Sequence, residues 1–410
     1  MSPTSRARPP SRRKRLLVVL CAPVLGLALV ELVLQVRASQ GVLPTLLSMT
    51  GARARYDDCD TLQELLHAEN YTWEPGDVVG DYLLNSQSLR TPEYSVEKAS
   101  GTRRVVILGD SHSFRSGGVP TNLLWDRRVA ADLREDSEVP LEFINLAVPA
   151  VGPWFEWRMW QLEGSKLQPD LVILAFSVSN DFMEIQGNLS DRTEFDSLAR
   201  EWLVVRFVRN LWLLATAGSL EAVDARPPVE HNDLTEMWNP TGKRGEMLPG
   251  AENRYDRDKP GFPVKTHTRI VYSRMAISDP TRSQVFEDSV TGVRHFLTQL
   301  NREVRALDAE LVLLLIPAEH QVDDALLERV ALEKGRRPGE FDTRRAQREL
   351  HAICDELGVS YVDPLDAVRS AVSESTIYRP RETHMTDIGH AILAEHLAAK
   401  LRDIGWSATR

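Results

Sequence analysis

The sequence predicts a three-layer α/β/α domain built on a central parallel sheet, preceded by one apolar N-terminal span. Three observations predict it. Short unbroken apolar runs at Val105–Leu108, Leu171–Phe176 and Leu311–Ile316 suit strands buried on both faces. Stretches of helical periodicity separate these runs, and strands that alternate with helices build parallel sheets. The first and second runs give way to short polar stretches that hold Ser111 and Asn180, and the carboxyl ends of parallel strands are where such sheets bind ligands.

The 410 residues suffice for one large domain or two ordinary ones. Net charge is −10 and unevenly placed: Arg6, Arg8, Arg12, Arg13, Lys14 and Arg15 crowd the start, and Glu31 is the single acid before residue 37. The body is therefore more acidic than the whole, which argues against nucleic acid as a partner. Cys21, Cys59 and Cys354 make no disulfide framework. No Cys/His cluster has zinc-ligand spacing, and His384, His390 and His396 do not share a helical face. A Gly-rich phosphate loop is also missing. Neither a metal nor an organic cofactor is expected.

Taken in order, residues 1–15 read as a basic cytoplasmic tail. Leu16–Val36 is apolar enough and long enough to cross a bilayer, and the positive flank places residues 37–410 on the far side. A cleaved signal peptide is the alternative, with a loose site at Val36-Arg37-Ala38; the length favours an uncleaved anchor. Residues 37–100 read as a connector and small N-terminal layer with an amphipathic piece at Leu62–Leu66, and residues 101–405 as the main domain. Its further elements are a helix around Leu123–Leu133, a strand Leu141–Leu146, a helix Trp154–Leu167, and a polar stretch Ser177–Asp181 after the strand at Leu171. An apolar helix over 195–221 is expected to be buried on the domain. Residues 225–268, rich in Pro, Gly and charge, read as a surface insertion, a lid or substrate loop. A helix Gln284–Leu307, a helix over 341–357, a strand Val359–Val362 and a helix Ile388–Leu401 complete the chain.

Four separated points fall at strand ends or near the C-terminus: Ser111, Gly152, Asn180 and His384. Acyl transfer needs a nucleophile, a base, an acid that holds the base, and donors for the oxyanion. Ser111 and His384 supply the first two. The Ser111 and Gly152 backbone N–H groups and the Asn180 amide supply three oxyanion donors, and a side chain at Gly152 would block the substrate. Asp110 and Asp181 are supporting residues, Asp181 fixing the loop that carries Asn180. The acid is left between Glu382, two residues before His384, Asp387, whose simpler use is to cap the last helix, a distant acid and no acid at all. Glu382 is preferred for its long arm. His320 reads as a solvated loop residue. No Gly-x-Ser-x-Gly elbow is present.

Gly109-Asp110-Ser111, Gly152, Asn180-Asp181 and His384, in that order, resemble the blocks of the SGNH (GDSL-type) hydrolase superfamily. The resemblance implies a flavodoxin-like three-layer fold and a serine esterase acting on an acyl-ester substrate. With the basic, single-span N-terminus the chain looks like membrane-anchored bacterial members, with the domain periplasmic and the anchor in the inner membrane. Two further readings accompany it: an O-acyltransferase or deacetylase of envelope glycan or lipid beside a membrane acyl-donor protein, and a non-catalytic envelope-assembly protein that keeps the fold. The chain departs from the pattern at His112 where the motif has leucine, at Val178 where it has glycine, and at Arg381 where it has aspartate.

Overall fold

The computed structural model describes residues 59–69, 71–114, 118–190, 243–250 and 255–406, with isolated positions before residue 57. The chain divides into two compact units, residues 1–55 with 190–228 and residues 56–189 with 229–410. The sheet belongs to the second. The basic tail, all but isolated positions of the Leu16–Val36 span, the helix expected over 195–221 and half of the 225–268 insertion lie outside the described residues. Among the described residues no helix is long and apolar enough to cross a membrane.

Five strands form one parallel sheet: β1 (Arg103–Gly109), β2 (Leu141–Asn145), β3 (Leu171–Ser177), β4 (Glu310–Ile316) and β5 (Ser360–Val362), in the order β2-β1-β3-β4-β5. The chain leaves β1 for β2 on one side and returns to β3 on the other. The order therefore reverses between β1 and β3, and a crevice opens there at the carboxyl ends of the strands. Ser111 follows β1 and Asn180 follows β3, so the two flank this switch point.

The strands are apolar on both faces because both are covered. Val106, Leu108, Leu174, Phe176, Leu313 and Leu315 enter one core. Helices α1 (Leu62–Ala68), α3 (Pro153–Leu162), α6 (Ser283–Arg305) and α8 (Arg345–Leu357) supply that layer. Val105, Ile107, Ile173, Ala175, Val312 and Leu314 face the other way, onto α2 (Trp125–Asp136), α9 (Leu365–Val372) and α10 (Asp387–Asp403). Helix α4 (Val178–Ser190) buries Val178, Phe182 and Ile185 in the first core. A satellite cluster joins α5 (Val264–Arg274) to α7 (Asp324–Glu333) through Val271, Leu327 and Val330.

Several sequence expectations change. The Ser177–Asp181 stretch is not a loop: α4 begins at Val178, so Asn180 and Asp181 sit in a first helical turn. Asp387 does not cap α10; Thr386 does, its hydroxyl accepting from Gly389 N, and Asp387 is instead held by Arg257 at 2.6 and 2.7 Å. The final part of the insertion is ordered, with α5 starting inside it at Val264. Helices α7 and α9 and a small hairpin, Val78–Val79 with Tyr82–Leu83, have no counterpart in the expected element list. Cys59 and Cys354 are buried and form no disulfide.

Candidate active site

Gly109 ends β1 with φ of 158°, a value that side-chain-bearing residues rarely adopt. A Cβ there would stand 2.9 Å from Ser113 Oγ and 3.2 Å from both Cβ and the carbonyl oxygen of Ala175 on β3. The glycine thus lets the chain turn against Ala175, its partner on β3. Asp110 follows, its carbonyl accepting from Ser113 N and Phe114 N, and the short helical turn Ser111–Phe114 begins. Ser111 stands at the first position of that turn.

His384 comes from the connection between α9 and α10. Thr386 N donates to Ile377 O at 2.8 Å and Arg379 N to His384 O at 3.1 Å, which closes residues 378–385 into a tight turn. Within it Glu382 N donates to Arg379 O at 3.0 Å, and Arg381 adopts φ of 54°. The result is a continuous chain of side chains. Ser111 Oγ lies 2.7 Å from His384 Nε2, and His384 Nδ1 lies 2.6 Å from Glu382 Oε1. Glu382 Oε2 also accepts from His384 N at 3.2 Å, so the carboxylate grips both the ring and the backbone of its partner. Asp387 is engaged by Arg257 and by the Tyr255 hydroxyl.

The electrostatics suit these roles. Burial alone would raise the Glu382 carboxyl, but His384, both as a charge and through hydrogen bonds, together with the Arg379 charge, holds it down to about 2. Arg381, which stands where the motif has aspartate, is not among the groups acting on Glu382; the residue lines a neighbouring cavity. His112 packs its ring 4.7 Å from that of His384. Burial first, then the charges of His384 and Arg274, push His112 well below the usual histidine range, so it stays neutral beside His384.

The donor side is built around Asp110. This carboxylate is buried, accepting from His112 N at 2.8 Å and from Asn180 Nδ2 at 2.9 Å. One amide hydrogen of Asn180 is thereby fixed, which orients the other. Asp181 accepts from Ser177 N at 2.7 Å and anchors the start of α4. Gly152 is the residue before α3, and its α-carbon packs against the Glu184 side chain, one helical turn beyond Asn180. A Cβ at 152 would strike the Glu184 carboxylate and lie 2.8 Å from its Cβ; the glycine is required by Glu184 before any substrate is considered. Burial first, then neighbouring acids, raises Glu156 and Asp181 well above the carboxylate range; burial also raises Asp110, against bonds from Asn180 and His112.

Four contributors escaped the sequence reading. Glu184 and Arg274 carry no local motif; Arg274, ending α5, lies near enough to Asp110, Glu319, Glu382 and Glu184 to act on their charges. His320 is buried rather than solvated: its Nε2 lies 3.1 Å from Ser278 Oγ, and burial lowers it to about 3. The fourth is the strap from Tyr255 to Pro263. Gly261 N donates to Pro380 O at 3.0 Å, Phe262 N to Arg381 O at 2.8 Å, and Arg379 to Lys259 O at 3.0 Å. A Cβ on Gly261 would lie 2.8 Å from Glu382 Cβ and collide with its Cγ. The strap therefore backs the carboxylate that holds His384. Only the glycine and proline content of residues 258–263 hinted at such close approach.

No family model matches the chain, and no curated protein sequence matches it. Among solved structures the chain is similar to TesA, at 10% identity and a TM-score of 0.38, covering 74% of this chain and 99% of that one. It is also similar to a lipase/acylhydrolase from Enterococcus faecalis, at 9% identity and a TM-score of 0.36, covering 74% and 96%. An acetylxylan esterase from Geobacillus stearothermophilus matches at 13% identity and a TM-score of 0.36, covering 75% and 97%. Likenesses this slight leave the functional reading to the geometry of the site.

The Glu382 contact has a pH signature. Its folded pKa lies below the ordinary 4.5, so the stability it contributes is present above about pH 4.5 and is lost as pH falls through about 2. The raised carboxyls Asp110, Glu156 and Asp181 have the opposite sign, but they are common to wild type and variant. The unfolding free-energy gap between wild type and Glu382→Gln, measured in urea, is expected to be largest near pH 6 and to shrink toward pH 2. A gap independent of pH would contradict the assignment.

Proposed function

We propose that this chain is a serine esterase of SGNH type, which hydrolyses or transfers an acyl group through a covalent acyl-enzyme. The observation that carries the proposal is the chain Ser111 Oγ to His384 Nε2 at 2.7 Å and His384 Nδ1 to Glu382 Oε1 at 2.6 Å, set at the sheet's switch point. Ser111 Oγ attacks the ester carbonyl while His384 Nε2 takes its proton. Glu382 accepts from His384 Nδ1–H, which leaves Nε2 as the acceptor and stabilises the imidazolium that forms. The tetrahedral oxyanion is met by Ser111 N, Gly152 N and the free amide hydrogen of Asn180. His384 returns its proton to the leaving alkoxide, and the ester becomes Ser111-bound. Water, or a sugar hydroxyl, then gives up a proton to His384 and attacks the acyl carbon; as the bond from that carbon to Ser111 Oγ breaks, His384 returns the proton to Ser111 Oγ.

The finer reading is a protein anchored in the inner membrane by Leu16–Val36, with its catalytic domain periplasmic and its substrate an acyl ester of envelope glycan or lipid. The basic cluster before the apolar run supports it. A membrane acyl-donor protein enters only if the reaction is transfer. One observation favours a non-catalytic role: the Glu184 side chain packed on Gly152 leaves little room beside an oxyanion donor.

Labelling of the full chain with a fluorophosphonate separates these readings. Wild type is expected to acquire the label on Ser111, and Ser111→Ala to acquire none while melting at nearly the wild-type temperature. Equal labelling of both would name another nucleophile, and labelling of neither would leave the non-catalytic role. Topology is checked by a reporter fused after Arg410: activity is expected from one that works only outside the cytoplasm, and activity from a cytoplasm-only reporter would refute the anchor.

A further inference from the structure

A cavity of about 710 Å³ lies on the side of the catalytic turn formed by Tyr378, Pro380 and Arg381. Neither Ser111, Gly152, Asn180 nor His384 lines it, so it is separate from the nucleophile while sharing with it the turn that carries Glu382 and His384. Its size falls in the range of ligand sites, about 300–1,000 Å³.

The lining has a definite chemistry. At its floor the buried His267 pairs through Nε2 with Glu319 Oε2 at 2.8 Å. Apolar surface comes from Leu326, Val372 and Ile377, and hydroxyls from Ser373, Ser375 and Thr376. Acids stand among them: Asp323, which accepts from Leu326 N, and the exposed Glu374. Two guanidinium groups also line the wall, and among the described residues neither has a carboxylate partner. Arg329 makes a single long contact, 3.4 Å to the Thr268 hydroxyl, and Arg381 is held at φ of 54° by a turn whose own carboxylate is occupied by His384. A left-handed backbone at a non-glycine residue is a standing cost, and Arg381, which carries it, lines the cavity.

The Glu374 carboxylate and the Ser375 and Thr376 hydroxyls suit a ligand rich in hydroxyl groups, small apolar patches suit the faces of sugar rings, and open guanidinium forks suit a carboxylate. We infer that this cavity binds an acidic oligosaccharide, with the ligand's carboxylate on Arg381 and Arg329 and its hydroxyls on the acids and hydroxyl side chains of the wall. That this glycan is also the one whose ester meets Ser111 rests on the esterase reading; binding itself does not.

The test uses the full chain carrying Ser111→Ala, so that no turnover intervenes, and calorimetric titration with tri-galacturonate and with its neutral counterpart maltotriose. Tri-galacturonate is expected to bind at least about tenfold more tightly than maltotriose. Arg381→Asn, which tolerates the left-handed backbone, is expected to weaken it by about 10–30-fold. Arg329→Gln should act in the same direction and replaces Arg381→Asn if that variant melts early. Equal affinity for the two trisaccharides, no tri-galacturonate binding at millimolar concentration, or affinity untouched by both substitutions would overturn the inference. Arginine-dependent binding without fluorophosphonate labelling of wild-type Ser111 would uphold the cavity and defeat the esterase reading; labelling without binding would do the reverse.

Discussion

The contact between Glu382 and His384 is the constraint on which the site depends. An imidazole can face Ser111 through Nε2 as an acceptor only if Nδ1 keeps its proton, and that needs an anion fixed on Nδ1. With one residue, Thr383, between Glu382 and His384, the carboxylate must reach back along a turn. Glutamate's extra methylene spans the offset, and the carboxylate closes on His384 twice, at the ring and at the backbone N–H. The turn is held from outside by the strap at Gly261 and Phe262 and from within by Thr386. The cost of burying the carboxylate is offset by the charges it faces, so Glu382 stays ionised.

A second set of constraints acts on the donor side. Asp110, Glu156, Asp181 and Glu184 crowd the ground between β1, α3 and α4. Like charges this close and this buried do not all ionise. Raised pKa values at Asp110, Glu156 and Asp181 are the outcome, with Asp110 nonetheless placed to hold the Asn180 amide at 2.9 Å. The arrangement makes the orientation of Asn180 a property of a buried network. Gly152 belongs to the same network, because Glu184 occupies the place a side chain would take.

How much of this was legible in the sequence follows from how local each feature is. Val105–Leu108, Leu171–Phe176 and Leu311–Ile316 are apolar without alternation because both faces of the sheet are covered, and a double-faced strand shows itself in its own residues. Ser111 and Asn180 could be placed beside one another because each follows such a strand, and Glu382 near His384 because a single residue separates them. The rest is tertiary. Asp387 looks like a helix cap until Arg257, 130 positions earlier, takes it. His320 looks solvated until Ser278 packs onto it. Asn180 looks like a loop residue because Ser-Val-Ser-Asn-Asp has weak helix propensity, yet Phe182 and Ile185 bury the helix from its start. Helix α9 sets Leu365, Val368 and Val372 at helical spacing against the core, but its eight residues make barely two turns, too short a window for periodicity to declare it.

The central claim is that Ser111, His384 and Glu382 act as one catalytic unit. It is tested most directly by the turnover of Glu382→Gln on a small activated ester, with folding confirmed by its melting temperature at neutral pH. Glutamine keeps the shape and a hydrogen bond but removes the charge, and kcat is expected to fall by about 10²–10⁴-fold with little change in KM. A Glu382→Gln variant that turns over like wild type would contradict the account and place the acid of the site elsewhere.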